Sequence, residues 1–277
     1  MRQTRHARRM QLDVTYTTLL FLILLASAAA GWWAQHKLHE RYVSRDAIES
    51  IRLLMGMLLT FSALVLGLLT SNAKQRFDGY NNDLGAFGVS LVELDHRLRT
   101  YGPAAEHIRA LLRTYTAAAI ADTWPGEELP SGRYPRFNWG SGHESVEGTE
   151  LGRMLAEVDA GIERLAPPDD YHRQVAERLR NRVTQAIEQR WQLIFSARST
   201  VSWPFLIVLT SWLSIIFAIF GLTSPRSRLV YAVVGLSALT IASPLYLILD
   251  YTQARTGLLK LSSFSMRTAL SHMDQDE

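Results

Sequence analysis

The chain has 277 residues, of which 48% are hydrophobic and 20% charged, and it contains no cysteine. These averages are typical of a soluble protein, but a mixture of very apolar and very polar segments gives the same averages. The absence of cysteine excludes disulfide scaffolds, thiol catalysis and cysteine-ligated zinc or iron–sulfur sites. The net charge is +3, yet residues 74–202 carry 16 Lys and Arg against 18 Asp and Glu. The basic excess therefore lies outside this region, and nucleic-acid binding, which needs a clustered basic surface, is not expected.

Four windows contain no Asp, Glu, Lys, Arg or His, and each is 21 residues long: 14–34, 53–73, 203–223 and 229–249. A helix of that length spans roughly 31 Å, the thickness of the hydrocarbon core of a bilayer. The sequence thus predicts an all-α membrane protein with four transmembrane helices. We expect a basic segment and spans one and two over 1–73, a cytoplasmic helical bundle inserted between spans two and three over 74–202, spans three and four over 203–249, and a cytoplasmic tail over 250–277.

The distribution of Lys and Arg near the span ends predicts the orientation in the membrane. Eleven lie in the N-terminal stretch, at the edges of residues 74–202 and in the tail, against five in the two remaining loops. We therefore expect both termini on the cytoplasmic side of a bacterial inner membrane. A basic start and an apolar run would also suit a cleaved secretory signal, but Trp32 and Trp33 form an interfacial aromatic pair that favours a retained span.

Apolar periodicity between spans two and three predicts helices. From Phe77 to Tyr101 the apolar residues are spaced alternately by three and four, which predicts one helix of roughly 50 residues continuous with span two. Gly102-Pro103 should end it. Further helices are predicted over 104–122, over 151–165 and from an N-cap at 169 or 170 towards span three, with Trp191 facing inward. An extended loop rich in Pro, Gly and aromatic residues separates the first two of these over 123–148.

The spans lack charge, which bears on transport. Coupled transporters usually hold ionisable groups near the middle of the membrane, so coupled transport is disfavoured. A passive pore stays open as a hypothesis because an apolar constriction can gate by dewetting. On span two the pore would be lined by side chains that would equally suit a lipid or protein contact: Leu54, Leu58, Phe61, Val65 and Leu68.

Small residues at spacings of four predict close helix packing, within the chain or between copies, because small side chains let membrane helices approach. On span two the predicted packing face is Ala63, Gly67 and Ser71, extended by Gly56 and Thr60. Ala26, Ala30 and Ala34 have the same spacing on span one.

Candidates for chemistry are few. His36, His39 and Glu40 would share a helix face, but they are too few for a closed zinc site, so a solvated loop is the simpler expectation. Glu93, Asp95 and His96 could support general acid–base chemistry, although surface or inter-helix ion pairing explains them as well. We therefore expect no enzyme, no catalytic residue, no cofactor and no metal.

Two further features allow more than one interpretation. Arg133 and Arg136 in the aromatic loop could engage a partner or lipid headgroups, or the loop could pack on itself. Pro244 removes one helical hydrogen bond and should kink span four, which would serve gating or packing equally well.

Several segments resemble the bacterial bestrophin-like membrane proteins, a family of uncharacterised function. The resemblance covers nearly the whole chain from about residue 50 and rests on these residues: 62–69 with Ala73 and Lys74, 94–98, Tyr101-Gly102-Pro103, Trp124-Pro125, Arg190-Trp191, 204–206 with Trp212, 217–222 with Pro225, and 257–263 with Arg267, Ala269 and Leu270. Family members often carry Pro-Phe where this chain has Arg255-Thr256.

True bestrophins are pentameric anion channels with cytoplasmic ends and a helical cytoplasmic region. The resemblance therefore implies a homo-oligomer in the lipid bilayer with a passive anion pathway. The calcium clasp and neck residues of bestrophins do not carry over residue by residue, since no acidic cluster of matching character follows span four. The alternative hypothesis is a non-conducting membrane scaffold or signalling protein that binds a cytoplasmic protein partner through its helical bundle.

Overall fold

The computed structural model describes residues 2–37, 45–124, 126–135, 149–197, 203–225, 227–252 and 261–275. Within these ranges the regular elements are α1 (Arg2–Lys37), α2 (Arg45–Tyr101), a 3₁₀ turn (Pro103–Ala105), α3 (Glu106–Thr123), α4 (Thr149–Glu163), α5 (Asp170–Ala197), α6 (Trp203–Thr223), α7 (Arg228–Thr252) and α8 (Phe264–Gln275). Four helices contain stretches long and apolar enough to cross a membrane: Thr15–Lys37, Glu49–Tyr101, Pro204–Thr223 and Arg228–Leu249. The prediction of an all-α chain with four candidate membrane helices is confirmed for the described part.

The chain divides into two compact units. We call residues 1–77 and 200–260 the span unit, and residues 78–199 and 261–277 the bundle unit. Helix α2 contributes residues 45–77 to the span unit and residues 78–101 to the bundle unit. The end of the chain after α7 thus returns to the bundle unit.

The core of the span unit is formed by α1, α6 and α7, with one side of α2 packed against it. Its buried apolar side chains include Leu24, Ala28, Leu209, Leu213, Phe217, Val234, Ala238 and Ile248. Helix α7 continues through Pro244 as far as Thr252. Since α1, α6 and α7 lack charged residues in their apolar windows, their packing depends on side-chain fit rather than on ion pairs.

The closest helix contact in the span unit joins α1 to α6. A Cβ atom at Gly31 would overlap the carbonyl oxygen of Ala218, and one at Gly221 would overlap the carbonyl oxygen of Ala28. Glycine at both positions therefore lets the two backbones touch. The expectation that Ala26, Ala30 and Ala34 form the α1 contact face is wrong within the chain, because the first two are exposed and the third is only half-buried.

The bundle unit is built around the predicted apolar seam of α2. Every seam residue after Phe77 is buried: Tyr80, Leu84, Phe87, Leu91, Leu94, Leu98 and Tyr101. The helix ends where it was predicted to end, because Gly102 adopts φ +95°, a left-handed conformation that glycine tolerates and other residues rarely adopt. Apolar faces of α3, α4 and α5 complete this core, with Leu112, Leu155 and Val183 fully buried.

Helix α5 begins with the predicted cap. The backbone N–H of His172 donates to Oδ1 of Asp169 over 2.8 Å, and this hydrogen bond, with the His172 ring beside it, lowers the pKa of the Asp169 carboxyl. Trp191 further along the helix is half-exposed and stacks on exposed Phe195, so its predicted inward position is wrong. The buried position belongs to the preceding Arg190, which is 5% exposed.

Candidate functional site

The residues proposed to line a pore lie on a stripe of α2 that the rest of the chain covers only in part. Leu54, Phe61 and Leu68 are each more than half exposed, whereas Leu58 and Val65 pack against the core of the span unit. Only 6% of the most apolar window of α2 is buried, against 17%, 33% and 28% for the windows of α1, α6 and α7. The stripe is thus apolar surface that the described residues of one chain cover only in part.

The small-residue face of α2 is also uncovered. Ala63, Gly67 and Ser71 are exposed, and a Cβ atom at Gly56 or Gly67 would meet nothing within 4 Å. Since successive residues turn by about 100°, this face lies roughly 140° around the helix from the stripe. Exposed Leu53, Met57 and Leu64 lie between the two faces.

The acid–base candidates of the bundle unit do not converge. Asp95 is buried and accepts a hydrogen bond from Nε of Arg109 over 2.9 Å. Glu93 pairs with Arg182, and His96 is exposed. The structure therefore places these residues in separate environments, with inter-helix ion pairs to two of them.

Only one of the three candidate zinc residues lies in the described part of the chain. His36 is exposed on α1, while His39 and Glu40 lie outside the described residues. Among the residues that are described, no group of three His, Asp or Glu side chains could hold a metal ion.

A polar network that the sequence did not predict joins α8 to α3. Arg109 donates through Nη2 to the carbonyl oxygen of Met273 over 3.1 Å, and its Nε donates to Oδ1 of Asp95. One helical turn later, Arg113 pairs with Asp274. The spacing of four between Arg109 and Arg113 places both on one face of α3, but nothing in the sequence identifies residues over 160 positions away as their partners.

The segment before α8 is held by the loop that follows α3. The indole N–H of Trp124 donates to the carbonyl oxygen of Leu261 over 2.9 Å. Glu127 accepts from Ser263 and from Nε of Arg267, the second over 3.1 Å. On the α2 side, a Cβ at Gly88 would lie 3.2 Å from the carbonyl oxygen of Ser265, so the backbones pass close together. These contacts hold the segment before α8 and the start of α8 against α2 and against the loop that follows α3.

Tyr115 and Arg190 form a second buried polar contact. Burial raises the pKa of Tyr115 to about 12, although the charge of Arg190 and its hydrogen bond to the phenol act in the opposite direction. Tyr115 is therefore protonated at neutral pH and is not available as a base. Its ring also meets Phe87 edge to face, with centroids 6.5 Å apart.

Comparison with known proteins gives one family and one fold. The Bestrophin-like domain model matches residues 20–263. Solved structures of a bacterial bestrophin homologue from Klebsiella pneumoniae are similar along almost the whole length of both chains. One variant has 15% identity, TM-score 0.58 and coverage of 95% of this chain and 97% of that one. A second has 14% identity, TM-score 0.61 and coverage of 96% and 98%. No curated protein matches the chain.

Proposed function

The chain belongs to the bestrophin-like family of membrane proteins, and we propose that copies of it assemble in the bacterial plasma membrane around a passive anion pathway lined by α2. The observation that carries the proposal is the exposure of α2, whose apolar window is 6% buried within one chain. An apolar helix with two uncovered faces needs either lipid or further protein against both. Bestrophins are channels rather than enzymes, which favours a pore over catalysis.

The geometry of α2 suits a ring of copies. One side of the helix, with Met55, Leu66 and Leu69, packs against its own span unit. The stripe and the small-residue face then point in two other directions, roughly 140° apart. In a ring, one face can line the axis while the other meets the neighbouring copy. The small face is the better contact between helices because Gly67 and Ala63 permit close approach.

The stripe would act as an apolar constriction. Leu54, Phe61 and Leu68 recur every seventh residue, so in a ring they would form successive apolar girdles along the axis. Such girdles hold no charge that would bind an ion, and they conduct when wetted and close when dry. Chloride is the first permeant ion to test, because bestrophins are anion channels.

The proposed topology places both termini and the bundle unit in the cytoplasm. Support comes from Lys and Arg, of which eleven lie near the proposed cytoplasmic ends of spans and five near the opposite ends. Cysteines introduced near residue 5 and at Arg178 should then resist a membrane-impermeant thiol reagent in intact spheroplasts. The native chain has no cysteine to interfere.

Reconstitution into liposomes with a chloride-efflux assay tests the function. Wild type should conduct, and both Phe61→Ala and Leu68→Ala should raise the flux several-fold by widening the constriction. Leu236→Ala is the matched control, since Leu236 is also more than half exposed but lies on α7. Gly67→Leu should lower the oligomeric mass measured in detergent by blocking the small-residue contact.

The outcomes separate the hypotheses. A monomeric mass together with absent flux would contradict the proposal. A stable oligomer without flux would instead favour the non-conducting scaffold. Equal effects of Phe61→Ala and Leu236→Ala would show that the stripe faces lipid and not an aqueous axis.

A further inference from the structure

The line of α2 that carries the stripe continues beyond Leu68. The positions four and eight residues further on are occupied by Asn72 and Arg76, and both side chains are exposed. Because successive residues turn by about 100°, each of the two lies within about 40° of the centre of the stripe. They follow Leu68 by about 6 Å and about 12 Å along the helix axis. The stripe thus changes from apolar to amide to cationic side chains along one line.

The packed side of α2 fixes the direction of these two residues. Ala73 is 5% exposed in the core of the span unit. The ring of Phe77 meets that of Tyr251 on α7 edge to face, with centroids 5.4 Å apart. Asn72 and Arg76 each precede one of these packed positions by one residue, which turns them about 100° away from it. The orientation that leaves the stripe uncovered therefore persists to the end of the span.

Across the described residues 49–77, Arg76 is the one charged residue on this line. Lys74 is exposed as well, but it lies about 160° around the helix from the stripe. At the other end of the span, Glu49 and Arg52 lie about 140° and about 160° away from it. In the proposed ring of copies, positive charge would therefore come to the axis at one end of the apolar constriction only. In the proposed topology this end is cytoplasmic.

The apolar girdles cannot by themselves distinguish an anion from a cation. Leu54, Phe61 and Leu68 offer neither charge nor hydrogen-bond donors. Pores that select anions use rings of Arg or Lys, and a carboxamide supplies two N–H donors to an anion that has lost part of its water. In a ring, every copy would add one guanidinium and one carboxamide at successive levels of the axis. The chemistry that the girdles lack thus follows them on the same line.

We propose that Asn72 and Arg76 form the charge filter of the anion pathway, an inference that rests on the proposed function. Arg76 attracts small anions to the cytoplasmic mouth and repels cations. Asn72, one helical turn nearer to Leu68, donates to the anion in place of water before the anion enters the constriction. The girdles then determine how much current passes, and these two residues determine the sign of the ion that carries it.

The test uses the full chain in liposomes that hold a KCl gradient. The reversal potential gives the ratio of chloride to potassium permeability. Arg76→Gln should lower this ratio several-fold and Arg76→Glu about tenfold, whereas Arg76→Lys should preserve it because the charge is kept. Asn72→Leu should lower the chloride flux several-fold. Lys74→Gln is the matched control, since it removes the same charge two residues away on another side of α2, and it should leave the ratio unchanged.

The outcomes separate the charge filter from the pathway itself. Absence of flux in wild type would overturn both. Flux that responds to Phe61→Ala, with an unaltered permeability ratio in Arg76→Glu, would overturn the filter and leave the pathway standing. Equal effects of Arg76→Gln and Lys74→Gln would also overturn the filter, because both charges would then act from the membrane surface. A low ratio in Arg76→Lys would equally contradict selection by charge.

Discussion

Arg109 donates from Nε to Oδ1 of Asp95 over 2.9 Å, and the two side chains are only 10% and 7% exposed. Breaking a buried ion pair from one side leaves a charge without compensation in a medium of low polarity. Because Arg109 also donates to the carbonyl oxygen of Met273, this pair links α2, α3 and α8.

Replacing Arg109 by alanine is expected to destabilise the bundle unit by about 3–5 kcal/mol, since the carboxylate of Asp95 would be buried alone. Urea denaturation followed by circular dichroism measures the loss. The control is Arg173→Ala, because Arg173 pairs with Asp170 at the exposed start of α5 and should cost less than about 1 kcal/mol. Equal losses in the two variants would contradict a special role for the buried pair.

Alanine at Gly31 or at Gly221 should lower the melting temperature of the detergent-solubilised protein. The added methyl group would overlap a carbonyl oxygen of the facing helix, and overpacking of this kind costs about 1–3 kcal/mol. Gly235→Ala on α7 is the control, because a Cβ there meets nothing within 4 Å. A lower melting temperature for Gly235→Ala than for Gly31→Ala would argue against the α1–α6 contact.

Arg267→Gln should weaken the contacts that hold residues 261–275 against the loop that follows α3. Arg267 donates to Glu127, to Ser263 and to the carbonyl oxygen of Glu128, and glutamine cannot reach all three. Hydrogen exchange followed by mass spectrometry should show faster exchange of the α8 amides. Arg153→Gln removes ion pairs that lie within α4 and should leave α8 unchanged. Unaltered α8 exchange in Arg267→Gln would mean that other contacts hold this helix.

Tyr115 should be among the last tyrosines to ionise. Its pKa in the folded protein is about 12, raised from 10 by burial. The stabilisation from its protonated phenol is complete below pH 10 and is lost as the pH rises from 10 to about 12, because only the unfolded chain releases this proton over that range. The difference in tyrosinate absorbance between wild type and Tyr115→Phe should therefore rise near pH 12. A midpoint near pH 10 would contradict burial of the phenol.

The regular features of the fold were predictable from the sequence. The buried residues from Tyr80 to Tyr101 follow the predicted spacing, because a helix that packs along one line buries the residues that recur on that line. Gly102 and Asp169 mark a helix end and a helix start through local geometry that needs no distant partner.

Irregular features were not predictable, and Arg190 and Trp191 illustrate why. Hydrophobicity favours the tryptophan as the inward residue, yet the hydrogen bond between Arg190 and Tyr115 stabilises the arginine there. The guanidinium of Arg190 also lies beside Gly152 on α4, where a Cβ would be 3.4 Å from its two terminal nitrogens. Three helices contribute to this arrangement, and no spacing within α5 reflects it.

The sequence by itself determined four apolar spans, the length of α2 and the apolar seam of the bundle unit, since burial of apolar surface follows helical periodicity. Only the tertiary structure decided that Gly31 and Gly221 make the close contact of α1 with α6, that the small-residue face of α2 is left uncovered, and that α8 returns to Arg109 and Arg113. Each of these features depends on which helix surfaces meet, and the partners are far apart in the sequence. Shape and charge complementarity in three dimensions select among several surfaces that the sequence pattern leaves equally possible.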